Sequence, residues 1–490
     1  VGENAGENVG ASVGENVVIV DFSAACQVRN EFGFPAAGGA ESVALASALP
    51  PRRGRQRAAA IDEGYPASAP RPAVPWRGLG VVRETGLFAT PAMGFNAWNA
   101  FHCAVSERLL MQTADALVAT GLAALGFTHV NLDDCWMVQR GGADANGTIG
   151  VDPVRFPSGM KALGDYLHAR NLSFGIYSAP ASTTPQGRPG LFEHEALDVA
   201  TFCAWGVDYL KLDSKGSTSY GDANGSWVRV RAAIDACRSP MYLQVAFCTA
   251  VGPGTCGQWI GDLANAWRTS RDVQATWASV LRNADLTQPL WPLVGPHNGS
   301  AVGGTWNDAD LLEVGNVGLT PTEMRTHFAL WVFLASPLLV STNVNDLLTK
   351  QSKQEQLALL LQPELIAISQ DALGLAARTV AGVAALAGAP GGGHCDGEVW
   401  QKPMHDGSVA LLFFNRGDTE GLSVTVSLLN VSNVQSATTI VRVRDVWAKR
   451  DDAEAQGSIS RALPAHGSAV LRLTPVKPVA ITAAANYTVL

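Results

Sequence analysis

The chain has 490 residues, 47% hydrophobic and 16% charged, with a net charge of −8. That length allows two or three domains around a large core, and the composition excludes a disordered chain. Acids and bases are interspersed, so no nucleic-acid partner is expected, and no uninterrupted apolar run is long enough for a membrane span.

Residues 1–85 read as a low-complexity leader, disordered on composition. Val-Gly-Glu-Asn stands whole at 1–4 and 13–16 and in part at 6–8, and an Ala/Pro/Arg-rich stretch runs on through Pro75. No basic n-region followed by an apolar h-region is legible, so there is no clear signal peptide. N-glycosylation patterns at Asn146, Asn171, Asn224, Asn298, Asn430 and Asn486 push mildly the other way, toward a secretory protein. The eight cysteines form no dense disulfide framework.

From about Leu87 short β-rich runs alternate with helical stretches. The runs are Met93–Trp98, His129–Asp133, Ser173–Ser178, Asp208–Asp213, Met241–Phe247, Ala264–Arg268, Trp291–Val294 and Pro337–Ser341. Helical patterns such as Glu107–Thr120 and Met160–Arg170 lie between them. Eight strand–helix units over about 270 residues predict a parallel (β/α)8 TIM barrel across 86–377. The competitor is a doubly wound open sheet, but no Gly-x-Gly-x-x-Gly opens a helix after the first strand.

Polar residues close many of these runs: Asn96 and Trp98, Asp133 and Asp134, Tyr177, Lys211 and Asp213, Arg268 and Asp272. Asp308 and Asp310 add to them in a later loop. A barrel gathers its strand C-termini around one mouth, so residues from 96 to 310 can converge on one pocket. An aspartate at a loop start is ordinarily a turn or helix cap, and each alone reads equally well that way. Capping explains the repetition across so many strands less well.

Beyond Ala377 the texture changes to Glu398–Gln401, Ser408–Asn415, Leu422–Leu428, Thr439–Asp445 and Ser468–Leu473, separated by turn signals such as His405-Asp406-Gly407 and Arg416-Gly417-Asp418. These predict a C-terminal antiparallel β-sandwich over 378–476 and a tail over 477–490. A structural role covering one side of the barrel is favoured over carbohydrate binding of its own.

Several long motifs in order carry a resemblance. They are Pro91-Ala92-Met93-Gly94-Phe95-Asn96-Ala97-Trp98-Asn99, Asn131-Leu132-Asp133-Asp134-Cys135-Trp136, Gly175-Ile176-Tyr177-Ser178, Tyr209-Leu210-Lys211-Leu212-Asp213, Trp267-Arg268-Thr269-Ser270 with Asp272, and Trp306-Asn307-Asp308-Ala309-Asp310-Leu311. With Glu398-Val399-Trp400 and Arg444-Asp445-Val446-Trp447 in the sandwich, the chain resembles the α-galactosidase and α-N-acetylgalactosaminidase family, glycoside hydrolase family 27, from about Thr90 to Pro475.

The resemblance implies a retaining exo-glycosidase that removes terminal α-D-galactosyl residues from oligosaccharides or glycolipids by double displacement. Asp213 matches the nucleophile and Asp272 the acid/base. Retaining enzymes hold these carboxyls about 5–5.5 Å apart. Lys211 and Arg268 match sugar-binding cations, Asp133 and Asp134 the pair that accepts sugar hydroxyls, and Trp98 and Tyr177 aromatic pocket walls. Asp310 is grouped with these substrate-binding residues. No cofactor and no metal is implied, a homodimer is compatible, and a secreted, lysosomal or vacuolar location is expected. Cys103–Cys135 matches a family disulfide.

Departures from the family pattern concern the sugar. The family usually pairs a cysteine shortly after the nucleophile with one after the third strand; Lys215 and Pro185 stand there instead. The family's glutamate that binds the C2 hydroxyl is missing, because 236–261 contains no acidic residue. Depending on alignment, Thr249 or Ala246 takes its place, and either leaves room for a bulkier C2 group. Relatives with altered specificity, for α-N-acetylgalactosaminides or β-L-arabinopyranosides, therefore stay in view, as does a silent sugar-binding protein. Cys248 and Cys256 are close enough in sequence to pair. Leu311 and Phe95 replace a methionine and a tryptophan, and Ala179 replaces a common aspartate.

Overall fold

Eight short parallel strands follow one another around a curled sheet in the computed structural model. They are β1 Met93–Asn96, β2 His129–Asn131, β3 Ser173–Ser178, β4 Tyr209–Leu212, β5 Tyr242–Val245, β6 Ala266–Arg268, β7 Trp306–Asp308 and β8 Leu338–Val340. β1 pairs with β2 on one side and β8 on the other, and the remaining neighbours follow chain order to β7. Just past β7, Leu312 bridges Val340 in parallel and ties the two ends together. This is the barrel expected from the strand–helix alternation. The structure describes residues 88–140, 147–213, 223–246, 260–261, 263–295, 304–380, 384–386 and 396–476. The expected leader and tail, and Lys215, Cys248, Thr249 and Cys256, lie outside those residues.

The strands are apolar because helices cover one face and the barrel interior the other. Every residue of β1, β4 and β5 is buried. Glycine is needed where strands crowd: a Cβ on Gly94 would sit 2.1 Å from the His129 carbonyl oxygen.

One expected strand is corrected. Trp291–Val294 is not in the sheet; Gln288–Leu293 forms a 3-10 helix, and the seventh strand is Trp306–Asp308. Pro289 and Pro292 decide this, since neither offers the N–H that a central strand must donate. Asp308 accordingly belongs to a strand rather than a loop.

The C-terminal strands form two antiparallel sheets. One has six strands, Arg378–Thr379, Gly397–Pro403, Val409–Asn415, Ser468–Pro475, Val441–Asp445 and Arg450–Ala455 in spatial order. The other has three, Ala384–Leu386, Leu422–Ser427 and Ser458–Leu463. Strand period two sorts the side chains. Leu411 and Phe413 enter a core shared with Leu422, Val424 and Val426, whereas Leu412 and Phe414 join the barrel's own cluster with Trp400 and Val470. The sequence reading passed over Arg450–Ala455 and Ser458–Leu463, whose polar, exposed residues lack the apolar run of a core strand.

Polar contacts also stitch the sandwich to the barrel. The Arg416 guanidinium reaches Asp285 at 2.6 Å and Glu398 at 2.8 Å, and Trp277 Nε1 donates to the Arg416 carbonyl at 3.0 Å. Disulfides join Cys103 to Cys135, as the resemblance implied, and Cys203 to Cys237. The second was not foreseen; it ties the helix Glu195–Trp205 to the end of Ala223–Asp235, neighbours only in three dimensions.

Candidate active site

The polar residues that close the strands meet at the C-terminal mouth of the barrel. At the end of β2, Asp133 accepts from Lys211 Nζ at 2.7 Å and from Asn96 Nδ2 at 2.9 Å. Asn96 Oδ1 in turn accepts from the backbone N–H of Trp98 at 2.9 Å, fixing where the half-buried indole leaves β1. Burial alone would push the Lys211 ammonium down. The Asp133, Asp310 and Asp213 carboxylates outweigh it and hold Lys211 above the usual lysine range.

Next to it, Asp134 accepts from Thr184 Oγ1 at 3.0 Å, and its second carboxylate oxygen is buried with no protein partner. Burial raises the pKa of this carboxyl, against the pull of the Thr184 bond. A buried acceptor without a protein partner is suited to a ligand hydroxyl.

Tyr177, near the end of β3, donates its hydroxyl to Asp213 Oδ2 at 2.8 Å. Burial and the Asp213, Asp133 and Asp134 carboxylates drive its phenol far above the usual tyrosine range, so it stays a donor. Lys211 Nζ lies 5.5 Å from the ring centroid of the same tyrosine.

On the other side of the mouth, Arg268 at the end of β6 is almost fully buried. Its Nη1 meets Asp310 at 2.9 Å, and its Nη2 reaches the Ser270 carbonyl at 3.0 Å and Asp272 at 3.2 Å. Burial opposes its charge, but Asp310, Asp308, Asp272 and Asp213 together hold it above the usual arginine range. One guanidinium therefore feels both Asp213 and Asp272, which the sequence places 59 residues apart (272 − 213). The Asp272 side chain is 75% exposed, while that of Asp310 is 5% exposed. Burial pushes Asp310 up to about 6 despite Arg268.

Among the described candidates, Asp133, Asp134, Tyr177, Lys211, Asp213, Arg268, Asp272 and Asp310 lie at strand ends or just after them, and Trp98 opens the short helix Trp98–Phe101 after β1. Sequence reasoning left out others of the cluster. Gln244 pairs in register with Lys211, accepts from the Tyr209 hydroxyl at 2.9 Å and donates to Asp308. Its place in β5, level with Lys211 in β4, was a signal that could have found it. Glu313 is buried, bonded by the side chains of Asn99 and Asn316, and pushed by burial up to about 7. Thr184 had no sequence signal, being brought in by a loop. Ala246 follows β5 and donates its N–H to the Leu212 carbonyl at 2.7 Å. Among the described residues, no group of three or more His, Cys, Asp or Glu side chains is arranged to hold a metal ion.

The family described as Alpha galactosidase A matches residues 90–371, and the Alpha galactosidase C-terminal beta sandwich domain matches 395–473. The chain belongs to glycoside hydrolase family 27, the alpha-galactosidase family. It is 36% identical over 397 residues to an alpha-galactosidase of Oryza sativa subsp. japonica, covering 80% of this chain and 86% of the relative. An alpha-N-acetylgalactosaminidase of Gallus gallus is 34% identical over 383 residues, 74% of this chain and 88% of the relative. The solved alpha-galactosidase of Saccharomyces cerevisiae with raffinose superposes with a TM-score of 0.70 at 25% identity, over 80% of this chain and 99% of its own. As a member of the alpha-galactosidase family, the chain is a glycoside hydrolase with a sugar substrate. No helix among the described residues is long and apolar enough to cross a membrane.

Proposed function

We propose that the protein hydrolyses terminal α-D-galactosyl residues of oligosaccharides or glycolipids with retention of configuration. The observation that carries this reading is the buried Arg268 guanidinium, 3.2 Å from Asp272 and with its charge also favoured by Asp213, together with the Tyr177 hydrogen bond to Asp213. Asp213 attacks the anomeric carbon while Asp272 gives its proton to the leaving oxygen, producing a glycosyl-enzyme ester. Asp272 then takes a proton from water, whose oxygen attacks the same carbon and frees Asp213. Lys211, Asp133 and Asp134 bind the sugar hydroxyls, and Trp98 and Tyr177 wall the pocket.

A panel of aryl α-glycosides differing at C2 tests this. Hydrolysis of the galactoside by wild type, with loss of turnover in a folded Asp213→Ala variant, supports the proposal; equal turnover in both proteins sinks the mechanism. One observation favours a second reading. No acid lies between positions 236 and 261, and a site without a charged acceptor discriminates weakly against an acetamido group at C2. On that reading, the N-acetylgalactosaminide is cleaved at a comparable rate.

The division of labour follows: the barrel over 86–377 carries the chemistry and the sandwich over 378–476 braces it. Two disulfides favour an oxidising compartment, secretory, lysosomal or vacuolar.

A further inference from the structure

Three consecutive residues around the exposed Asp272 are each held from outside the turn. The Arg271 carbonyl accepts from Asn283 Nδ2 at 3.0 Å. The Asp272 carbonyl accepts from Arg282 Nη2 at 3.1 Å. The Val273 N–H donates to Asp310 Oδ2 at 2.7 Å. The other oxygen of Asp310 holds Arg268 Nη1 at 2.9 Å, and that guanidinium reaches forward to Asp272 Oδ1 at 3.2 Å. Asp310 thus grips the turn on both sides of Asp272, through the backbone after it and through the cation beside it.

Asp310 is itself locked. Its N–H donates to Asp308 Oδ1 at 2.8 Å and its carbonyl accepts from Trp331 Nε1 at 2.6 Å. The residue sits at φ +81°, a left-handed conformation that an aspartate keeps only when its surroundings impose it. Asn283 also reaches the Ala309 carbonyl at 3.0 Å, so the loop after β7 and the turn after β6 share this support. With both oxygens engaged and the side chain buried, Asp310 is built to hold protein groups rather than to receive a sugar hydroxyl.

We propose that Asp310 is a positioning residue for proton transfer, a clamp that aims Asp272 at the leaving oxygen. This rests on Asp272 being the acid/base, and it replaces the substrate-binding role the resemblance suggested for Asp310.

The leaving group tests it. An alkyl α-galactoside needs its oxygen protonated as the bond breaks; a dinitrophenyl α-galactoside does not. In Asp310→Asn, kcat/KM should fall by about 100-fold for methyl α-galactoside and by less than about 5-fold for the dinitrophenyl substrate, with the limb of the pH profile set by the acid displaced. A sugar-ligand role predicts equal losses on both, carried by KM, and that result overturns the clamp. If Asp310→Asn does not fold, Asp310→Gly carries the same readouts, because glycine accepts this φ without strain. Wild type inactive on both galactosides removes the reading beneath the clamp; active wild type with equal losses overturns the clamp alone.

Discussion

The Tyr177 hydroxyl donates to Asp213 Oδ2 at 2.8 Å, across a gap of 36 residues in sequence. A hydrogen bond to a charged acceptor is worth about 1.5–3 kcal/mol. Tyr177→Phe keeps the ring and removes the bond. Its kcat/KM on an aryl α-galactoside should fall by about 10- to 100-fold with KM little changed. Steady-state kinetics on the folded variant checks this; a change confined to KM would show that the tyrosine only walls the pocket.

Lys211 and Asp133 are a buried pair whose side chains are 9% and 3% exposed. Removing the cation leaves Asp133 with Asn96 as its side-chain donor. Lys211→Ala should lose about 3–5 kcal/mol of unfolding free energy in urea denaturation. The double variant with Asp133→Asn should recover part of that loss, because Asp133 no longer carries a buried charge without its cation.

Glu313 is pushed by burial from 4.5 to about 7. The native state therefore takes up a proton between about pH 7 and 4.5 that the unfolded chain takes up only at the lower end. This group makes the fold less stable as pH rises through that window. Glu313→Gln removes the effect. Its melting temperature relative to wild type should be most favourable above pH 7 and least favourable near pH 5, and a pH-independent difference would refute the assignment.

Lys402 in Gly397–Pro403 is fully buried, with its Nζ 3.4 Å from the Ser369 carbonyl. Burial lowers it from 10.5 to about 7, with Asp371 as the nearby opposing charge. The unfolded chain binds the extra proton between those values, so this lysine depresses stability below pH 7 and the penalty fades toward pH 10. Lys402→Met should stabilise the protein by about 1–4 kcal/mol at pH 6 and by much less at pH 10. Paired denaturation curves at the two pH values measure it.

Most of the barrel was legible because parallel strands buried on both faces are written as apolar runs closed by polar residues. Trp291–Val294 misled for a local reason: it has the hydrophobicity of a strand, but Pro292 within it and Pro289 just before it cannot donate to a ladder. The site was legible where residues stood in long motifs, as Asp133, Asp134, Lys211, Asp213 and Arg268 do. Gln244, Thr184 and Glu313 stood in none, and each has a partner far along the chain, 35, 50 and 214 residues away.

The sequence by itself determined the strand–helix alternation, the family and the residue types at the barrel mouth, because periodicity and motifs are properties of neighbours along the chain. Only the tertiary structure decided what each carboxylate faces. The two oxygens of Asp310 lie on Arg268 and Val273, and one oxygen of Asp134 is left without a protein partner. Such roles depend on burial and on donors brought in from distant strands, and sequence spacing does not encode either.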